Sequence, residues 1–341
     1  RSLALQIRDR FLEIFKINNL DGDEFAVAAA LILGYTDKID ADLINIYQGT
    51  GALHILSVSG MHVGVVFIVL NFLFSFLNRM KKGKYLKPIL LILLIWFYAA
   101  ITGLSPAVDR AAAIITFVIL GKAFGRNTNI YNTLATSAFL LLLINPLLLT
   151  DVGFQLSYVA VIGIVILYQR IHRWWHPKNW VLRQVWSITA ISLAAQIATF
   201  PLSVFYFHQF PNYFLLTNLV VVPLSNFVIY CGMLVLLLSP VSFIAGLFGK
   251  VLVLMLNGLN GSVRFIDSLP YSSARGLHIS MTETICLYLL GAVFIYFLFS
   301  KKKRMLIPAY ILLTFFLISV SYRGIACAMQ KQLVFYNTKK T

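Results

Sequence analysis

The chain has 341 residues, 60% of them hydrophobic and only 12% charged, with a formal net charge of +16 and a mean hydropathy of +0.84. These values exclude an ordinary soluble domain and describe a polytopic membrane protein. Eight of the twelve acidic residues precede position 50, and the positive-inside bias of membrane proteins can supply most of the basic excess, which makes charge weak evidence for a nucleic-acid partner.

Arg1 opens the chain with no signal-peptide pattern behind it, as expected of a segment of a longer protein. Residues 1–48 contain no predicted span. Leu3, Ile7, Phe11, Ile14 and Phe15 recur at helical spacing, with Arg8, Asp9 and Lys16 on the other side. Asp21 or Asp23 can cap a second helix from Phe25 to Leu33, which Gly34 ends; Asp40 can start a third that ends at Gly49. The plain reading is a set of amphipathic helices at the interface or against the bundle, and a gate or plug is the sharper one.

From residue 53 onward apolar segments alternate with basic or turn-rich breaks. A span needs about 20 apolar residues, which predicts spans near 53–78, 88–104, 106–121, 131–147, 152–169, 184–203, 213–239, 244–266, 281–300 and 305–322, with 106–121 and 213–239 as candidate half-spans. Arg79, Lys81, Lys82, Lys84 and Lys87 fall on one side with Lys122 and Arg126, Arg170 to Arg183, and Lys301 to Arg304. That side is cytoplasmic by its charge, which leaves residues 1–48 and the tail outside. No inverted repeat of the transporter kind is visible.

The first span opens on Gly49-Thr-Gly-Ala-Leu-His-Ile-Leu-Ser-Val-Ser-Gly-Met-His-Val-Gly64, which carries His54, Ser57, Ser59, Gly60 and His62. Polar groups at membrane depth are costly unless they face a wet cavity or a partner helix, and glycines allow close backbone approach. The segment therefore reads as broken or closely packed, lining an interior path. On a continuous helix His54 and His62 would stand about 80° apart, poor geometry for a shared metal. Packed or hydrogen-bonded histidines are the plainer alternative. No nucleophile-elbow pattern surrounds either serine, and the three cysteines have no metal-ligand spacing, so neither a catalytic triad, a metal site nor any cofactor is expected.

In Thr102-Gly-Leu-Ser-Pro-Ala-Val-Asp-Arg-Ala111, Ser105 can cap a helix and Pro106 can take its first position. Asp109 either pairs with Arg110 or complements the helix dipole; alternatively the helix start and Arg110 form an anion-attracting mouth. Asp151 is most simply an N-cap, in a stretch that also holds Phe154, Gln155 and Ser157. Gln196, His208, Asn218 and Asn226 add polar groups further on, and Pro201 and Pro223 are expected to break their helices. Gln332 to Tyr336 reads as one strand, the start of a further extracytoplasmic domain.

Gly51 to Gly64, Gly103 to Ala111 and Asp151 to Ser157, in this order, strongly resemble the competence domain of ComEC-type proteins, with Met61 where leucine is usual. The resemblance covers nearly the whole chain. It implies an inner-membrane channel of the bacterial cell that passes single-stranded DNA into the cytoplasm while the other strand is degraded outside. Its partners would be an extracytoplasmic DNA receptor, a cytoplasmic ATP-driven translocase and the surrounding lipid. Family members usually carry an OB-fold domain before this region and often a metallo-β-lactamase-like domain after it, so any nuclease activity is expected to lie outside this sequence. A motor is required on physical grounds as well, since each charge moved against the potential costs about 2.3 kcal/mol per 100 mV; the sequence contains no phosphate-binding G-x-x-x-x-G-K-[ST] loop.

The combined reading is an all-α polytopic membrane protein of about ten transmembrane or half-spanning helices. Amphipathic helices at 1–48 precede a channel domain at 49–322, and a further domain begins at 323–341. His54, Ser57, Ser59 and His62 are expected to line the path, Arg110 to guide the anion, and Gln155 and Gln196 to form polar wall. Gly60, Pro106, Asp109, Asp151, Phe154 and Pro223 are expected to shape it. The alternatives are a membrane-embedded enzyme on a lipid-linked or phosphate-bearing substrate, using His54, His62 and Asp109, and a small-molecule secondary transporter.

Overall fold

The computed structural model describes residues 3–125 and 129–329. Arg126 and the strand expected at 332–336 lie outside them. Fourteen α-helices run through these residues: α1 Leu3–Ile17, α2 Gly22–Leu33, α3 Ala41–Gly49, α4 Leu53–Leu56, α5 Gly60–Leu73, α6 Gly83–Ile101 and α7 Pro106–Ala123. They continue with α8 Ile130–Ile144, α9 Val152–His172, α10 Trp180–Phe207, α11 Phe214–Leu237, α12 Ser242–Asp267, α13 Met281–Ser300 and α14 Leu306–Met329. Two three-residue strands, β1 Gln209–Pro211 and β2 Ser273–Arg275, form a two-stranded sheet. The architecture is that of an all-α polytopic membrane protein.

Eight helical segments among the described residues are long and apolar enough to cross a membrane. α5 is extended by a 3-10 turn over Phe74–Arg79; its 14 residues plus these 6 reach about 33 Å, the thickness of a hydrocarbon core. α7 has the length of a span but carries Asp109, Arg110 and Lys122. α8, at 15 residues, is the short one, because Asn145 and Pro146 turn the chain into a 3-10 segment ending at Thr150. The span expected at 213–239, with its candidate half-span, is the continuous 24-residue α11, and α10 likewise runs unbroken. Pro201 and Pro223 thus do not break their helices. Within a membrane bundle the carbonyl freed by an internal proline is tolerated through neighbouring helices and small local adjustments.

The chain divides into two compact units, Arg1–Thr199 with Phe210–Ala274, and Phe200–Gln209 with Arg275–Thr341. In the first, α2 is more than amphipathic, since every residue from Phe25 to Leu33 is buried. It sits in the largest core with residues of α11 and α12, such as Val228, Val235, Leu252 and Leu256. Gly232 of α11 makes room for this. A methyl group there would lie 2.2 Å from Ile32 Cδ1. Gly34 ends α2 in the left-handed region (φ 67°), where its N–H donates to Ala30 O and that of Tyr35 to Ala29 O. The Tyr98 hydroxyl of α6 donates to Ile32 O (3.0 Å), tying a membrane helix to the N-terminal ones. Asp40 caps α3 as expected, accepting from Ala41 N.

In the second unit Glu283 of α13 is buried, yet its carboxylate is fully answered. It accepts from the Ser280 N–H (2.8 Å) and the Ser319 hydroxyl (3.0 Å) and pairs with Arg323 Nη1 (2.9 Å) of α14. A buried charge is stable only when paired and hydrogen-bonded in this way. Cys286 Sγ against Leu312 O (3.3 Å) adds a second contact between α13 and α14.

Candidate functional site: a buried arginine beside the start of α5

α3 ends at Gly49, and the chain must turn sharply to enter the bundle. Gly51 supplies the turn at φ 81°, and a methyl there would lie 2.8 Å from Pro211 Cγ, so only glycine fits. α4 follows for a single turn. His54 on it is exposed, and its Nδ1–H donates to Gly51 O (2.9 Å). Ser57 is extended (φ −108°, ψ 146°) and exposed, and Ser59 is the N-cap residue of α5. The helix is therefore broken at 57–59, as the glycine- and serine-rich sequence predicts, and the 80° separation reckoned for one continuous helix does not apply.

His62 stands at the third position of α5 and is fully buried (0% exposed). Its ring folds back over the first turn, where Nδ1 accepts from the Ser59 N–H (3.2 Å). A neutral imidazole that accepts at Nδ1 carries its proton on Nε2. That Nε2 is buried and has no hydrogen-bond partner among the described residues.

α7 starts as expected, with Pro106 at its first position and Ser105 before it, although the Ser105 hydroxyl is buried without a partner and makes no cap bond. Arg110, one turn in, is 3% exposed. Its guanidinium carbon lies 5.4 Å from the centroid of the Tyr158 ring, a cation–π contact with α9. The Tyr158 hydroxyl is 3.0 Å from Ser137 Oγ of α8, and Phe154 packs against the Tyr158 ring at 4.6 Å. On the other side a methyl on Gly60 would lie 3.6 Å from Arg110 Nη2 and 3.4 Å from Ala111 Cβ. The guanidinium thus lies between Tyr158 and the first residue of α5. Nη1 is buried with no partner among the described residues, and so is one oxygen of Asp109. The Asp109–Arg110 pair weighed from the sequence is not formed, because consecutive helical residues point about 100° apart.

The other expected path residues lie elsewhere. Asp151 caps α9 as predicted, accepting from Phe154 N at 2.7 Å. Gln155 is spent at the same turn, its Nε2 donating to Leu149 O (2.8 Å). Gln196 is half-buried on α10, and Pro223 lies within α11. An apolar cavity of about 140 Å³ is lined by Phe11, Ile32, Val66 and Tyr98 among others, and by none of the path residues. Gly60 and Arg110 come together, and His54 stands near enough to the His62 ring to act on it electrostatically; Gln155 and Gln196 do not join Arg110. Tyr158 is the participant the sequence reading missed. Its only signal was a position seven residues, two helical turns, beyond the Asp151 cap.

Fold and site define the class: a polytopic α-helical membrane protein with a buried cation held at the start of a broken span. The chain belongs to the competence protein family, whose family model matches residues 31–320. It is similar to ComE operon protein 3 of Bacillus subtilis (strain 168), 27% identical over 308 residues, or 89% of this chain and 38% of that protein. It is also similar to Recombination protein 2 of Haemophilus influenzae (25% identical; 59% of this chain, 26% of that protein) and to the uncharacterized protein YcaI of Escherichia coli (26% identical; 65% and 31%). The chain spans about two fifths or less of the length of these relatives. No solved structure matches it.

Proposed function

We propose that this chain is the membrane domain through which DNA passes, as a single strand, into the cytoplasm of a competent bacterium. Membership of the competence family supports the uptake role. The observation that carries the route is the buried Arg110 guanidinium, which lies beside Gly60 at the start of α5 and whose Nη1 has no partner among the described residues. A single cation in that position attracts a passing phosphate without holding it, and conduction needs weak, replaceable contacts. Gly60 and Arg110 belong to the ends of α5 and α7 opposite Arg79 and Lys122, which the positive-inside rule makes the outer ends. On this reading the protein lies in the inner membrane with residues 1–48 and the C-terminal tail outside, an outer-face receptor delivers the DNA, and a cytoplasmic ATP-driven translocase pulls it. Strand hydrolysis falls to another domain.

The test uses the chromosomal copy of the gene and doubly labelled duplex DNA, counting label that reaches the cytosol. The wild type should admit one strand, and Arg110→Ala should lower the count about tenfold or more at unchanged protein level, the loss of one charge-assisted contact. Equal counts for wild type and Arg110→Ala would remove Arg110 from the route. Counts equal to those of a gene deletion in the wild type itself would remove the function.

A further inference from the structure

Two histidines, one at the end of α10 and one just before α13, take no part in the route through Arg110. α10 ends at Phe207, and the next residue, His208, lies in the left-handed region (φ 54°), where a helix end commonly places glycine. β1 starts directly after it. β2, its pairing strand, ends at Arg275, and Gly276 (φ 77°) turns the chain back. The Leu277 N–H then donates to His208 O at 3.0 Å, and the rings of His208 and His278 stand with their centroids 4.6 Å apart, tilted by 47°. Both residues are exposed, and neither ring is hydrogen-bonded among the described residues. Backbone bonds thus hold two imidazoles together, one of them at a position that glycine would take with less strain, and leave their nitrogens to water.

We propose that His208 and His278 form a binding site for one divalent late first-row transition metal ion, of the zinc, copper or nickel class. Imidazole is the commonest protein ligand for these metals, and each neutral ring offers one nitrogen lone pair. With metal–nitrogen bonds of about 2 Å, two adjacent imidazoles on one ion hold their ring centroids about 4.5 to 5.3 Å apart. The observed spacing falls in that range. Aiming one nitrogen of each ring at a shared point needs only rotation about χ2, the soft torsion of a histidine side chain. No third His, Cys, Asp or Glu joins the pair among the described residues, so water completes the coordination. Without carboxylates, and with Arg275 three residues before His278, the site does not suit calcium or magnesium, which take oxygen ligands. Bound metal ties the end of α10 to the segment leading into α13, beside the Leu277–His208 hydrogen bond. On the sidedness argued from charge the pair faces the outer medium, so the ion arrives without crossing the membrane. The site is independent of DNA passage.

For the test the chain is purified through a histidine-free affinity tag, stripped with a chelator and placed in nanodiscs of neutral lipid. Zinc is titrated by calorimetry with magnesium as the reference, and copper is followed by electron paramagnetic resonance, whose nitrogen hyperfine pattern counts the bound imidazoles. The wild type should bind one zinc per chain far more tightly than magnesium, and its copper spectrum should show two nitrogens. His278→Ala and His208→Gly should each weaken zinc binding about tenfold or more, since the second, intramolecular ligand is lost, and should leave one nitrogen on copper. Glycine suits the left-handed backbone at 208, and His278 is exposed, so both variants should melt without metal as the wild type does. His172 and His176, with ring centroids 6.3 Å apart, are the rival pair, but His172 Nε2 already bonds the Ser187 hydroxyl (3.2 Å). Changing both to glutamine should leave zinc affinity as it was. Zinc bound no more tightly than magnesium, undiminished affinity in His278→Ala, or loss of binding in the His172→Gln, His176→Gln variant instead overturns the site.

Discussion

Tyr47 shows what one buried hydroxyl does at the join between the N-terminal helices and the membrane bundle. It is wholly buried on α3, and its hydroxyl donates to Asn260 Oδ1 of α12 at 2.7 Å. Burial, reinforced by the nearby Asp23 carboxylate, pushes the phenol pKa above its usual value. The neutral form is thus favoured in the folded state, and its contribution is complete below the unfolded pKa near 10 and lost as pH rises through the folded value. Melting temperatures taken between pH 7 and 11 should fall at the alkaline end for the wild type. Tyr47→Phe should lower stability by about 1–3 kcal/mol at pH 7, because it leaves Asn260 unanswered, and should show less alkaline loss. At this scale the sequence is legible where bonding is local. Asp151 reads as a cap because its partner, Phe154, is three residues away. The place of Arg110 does not read, since both neighbours, Gly60 and Tyr158, are about fifty residues distant in opposite directions.

Helices are easier to recognise than the way they pack. The apolar run length and the caps predict α9 at 152–169 against an observed Val152–His172, and α12 at 244–266 against Ser242–Asp267. Pro201 and Pro223 mislead because propensity measured in water overstates the cost of proline inside a bundle. What the pattern does not reveal is where helices touch. Gly163 of α9 faces α10 so closely that a methyl would lie 2.3 Å from Ala198 Cβ and 2.9 Å from Ala194 O. Small residues let the two backbones approach, the usual currency of helix association in lipid. Gly163→Ala should therefore destabilise the protein by about 1–3 kcal/mol in detergent melts, as overpacking does. Adding Ala198→Gly should recover part of that loss. Full stability of the single variant would mean that α9 and α10 shift freely, contrary to this close contact.

Across the whole chain the asymmetry of charge is the strongest sequence signal. The breaks holding Lys81 to Lys87, Arg170 to Arg183 and Lys301 to Arg304 alternate with nearly uncharged ones, and α7 and α8 together preserve that alternation although neither meets the strict requirements of a span. Removing both from the count changes nothing in sidedness. With the native cysteines replaced, a cysteine at Tyr271, which is 87% exposed, should react with an impermeant maleimide on intact spheroplasts, whereas cysteines at Lys84 and Lys302 should react only after permeabilisation. The reverse pattern would invert the assignment of α5 and α7 ends.

The buried carboxylate of Glu283 bears on how the protein is made. Ser319, one of its partners, emerges from the ribosome 36 residues later, and Arg323 later still. Until then α13 offers the bilayer a charge with only its own first turn to answer it. Lateral release of α13 from the translocon by itself is thus disfavoured, and the two last helices should enter lipid as a hairpin, so that a nascent chain arrested before Arg323 would leave α13 waiting at the insertion machinery.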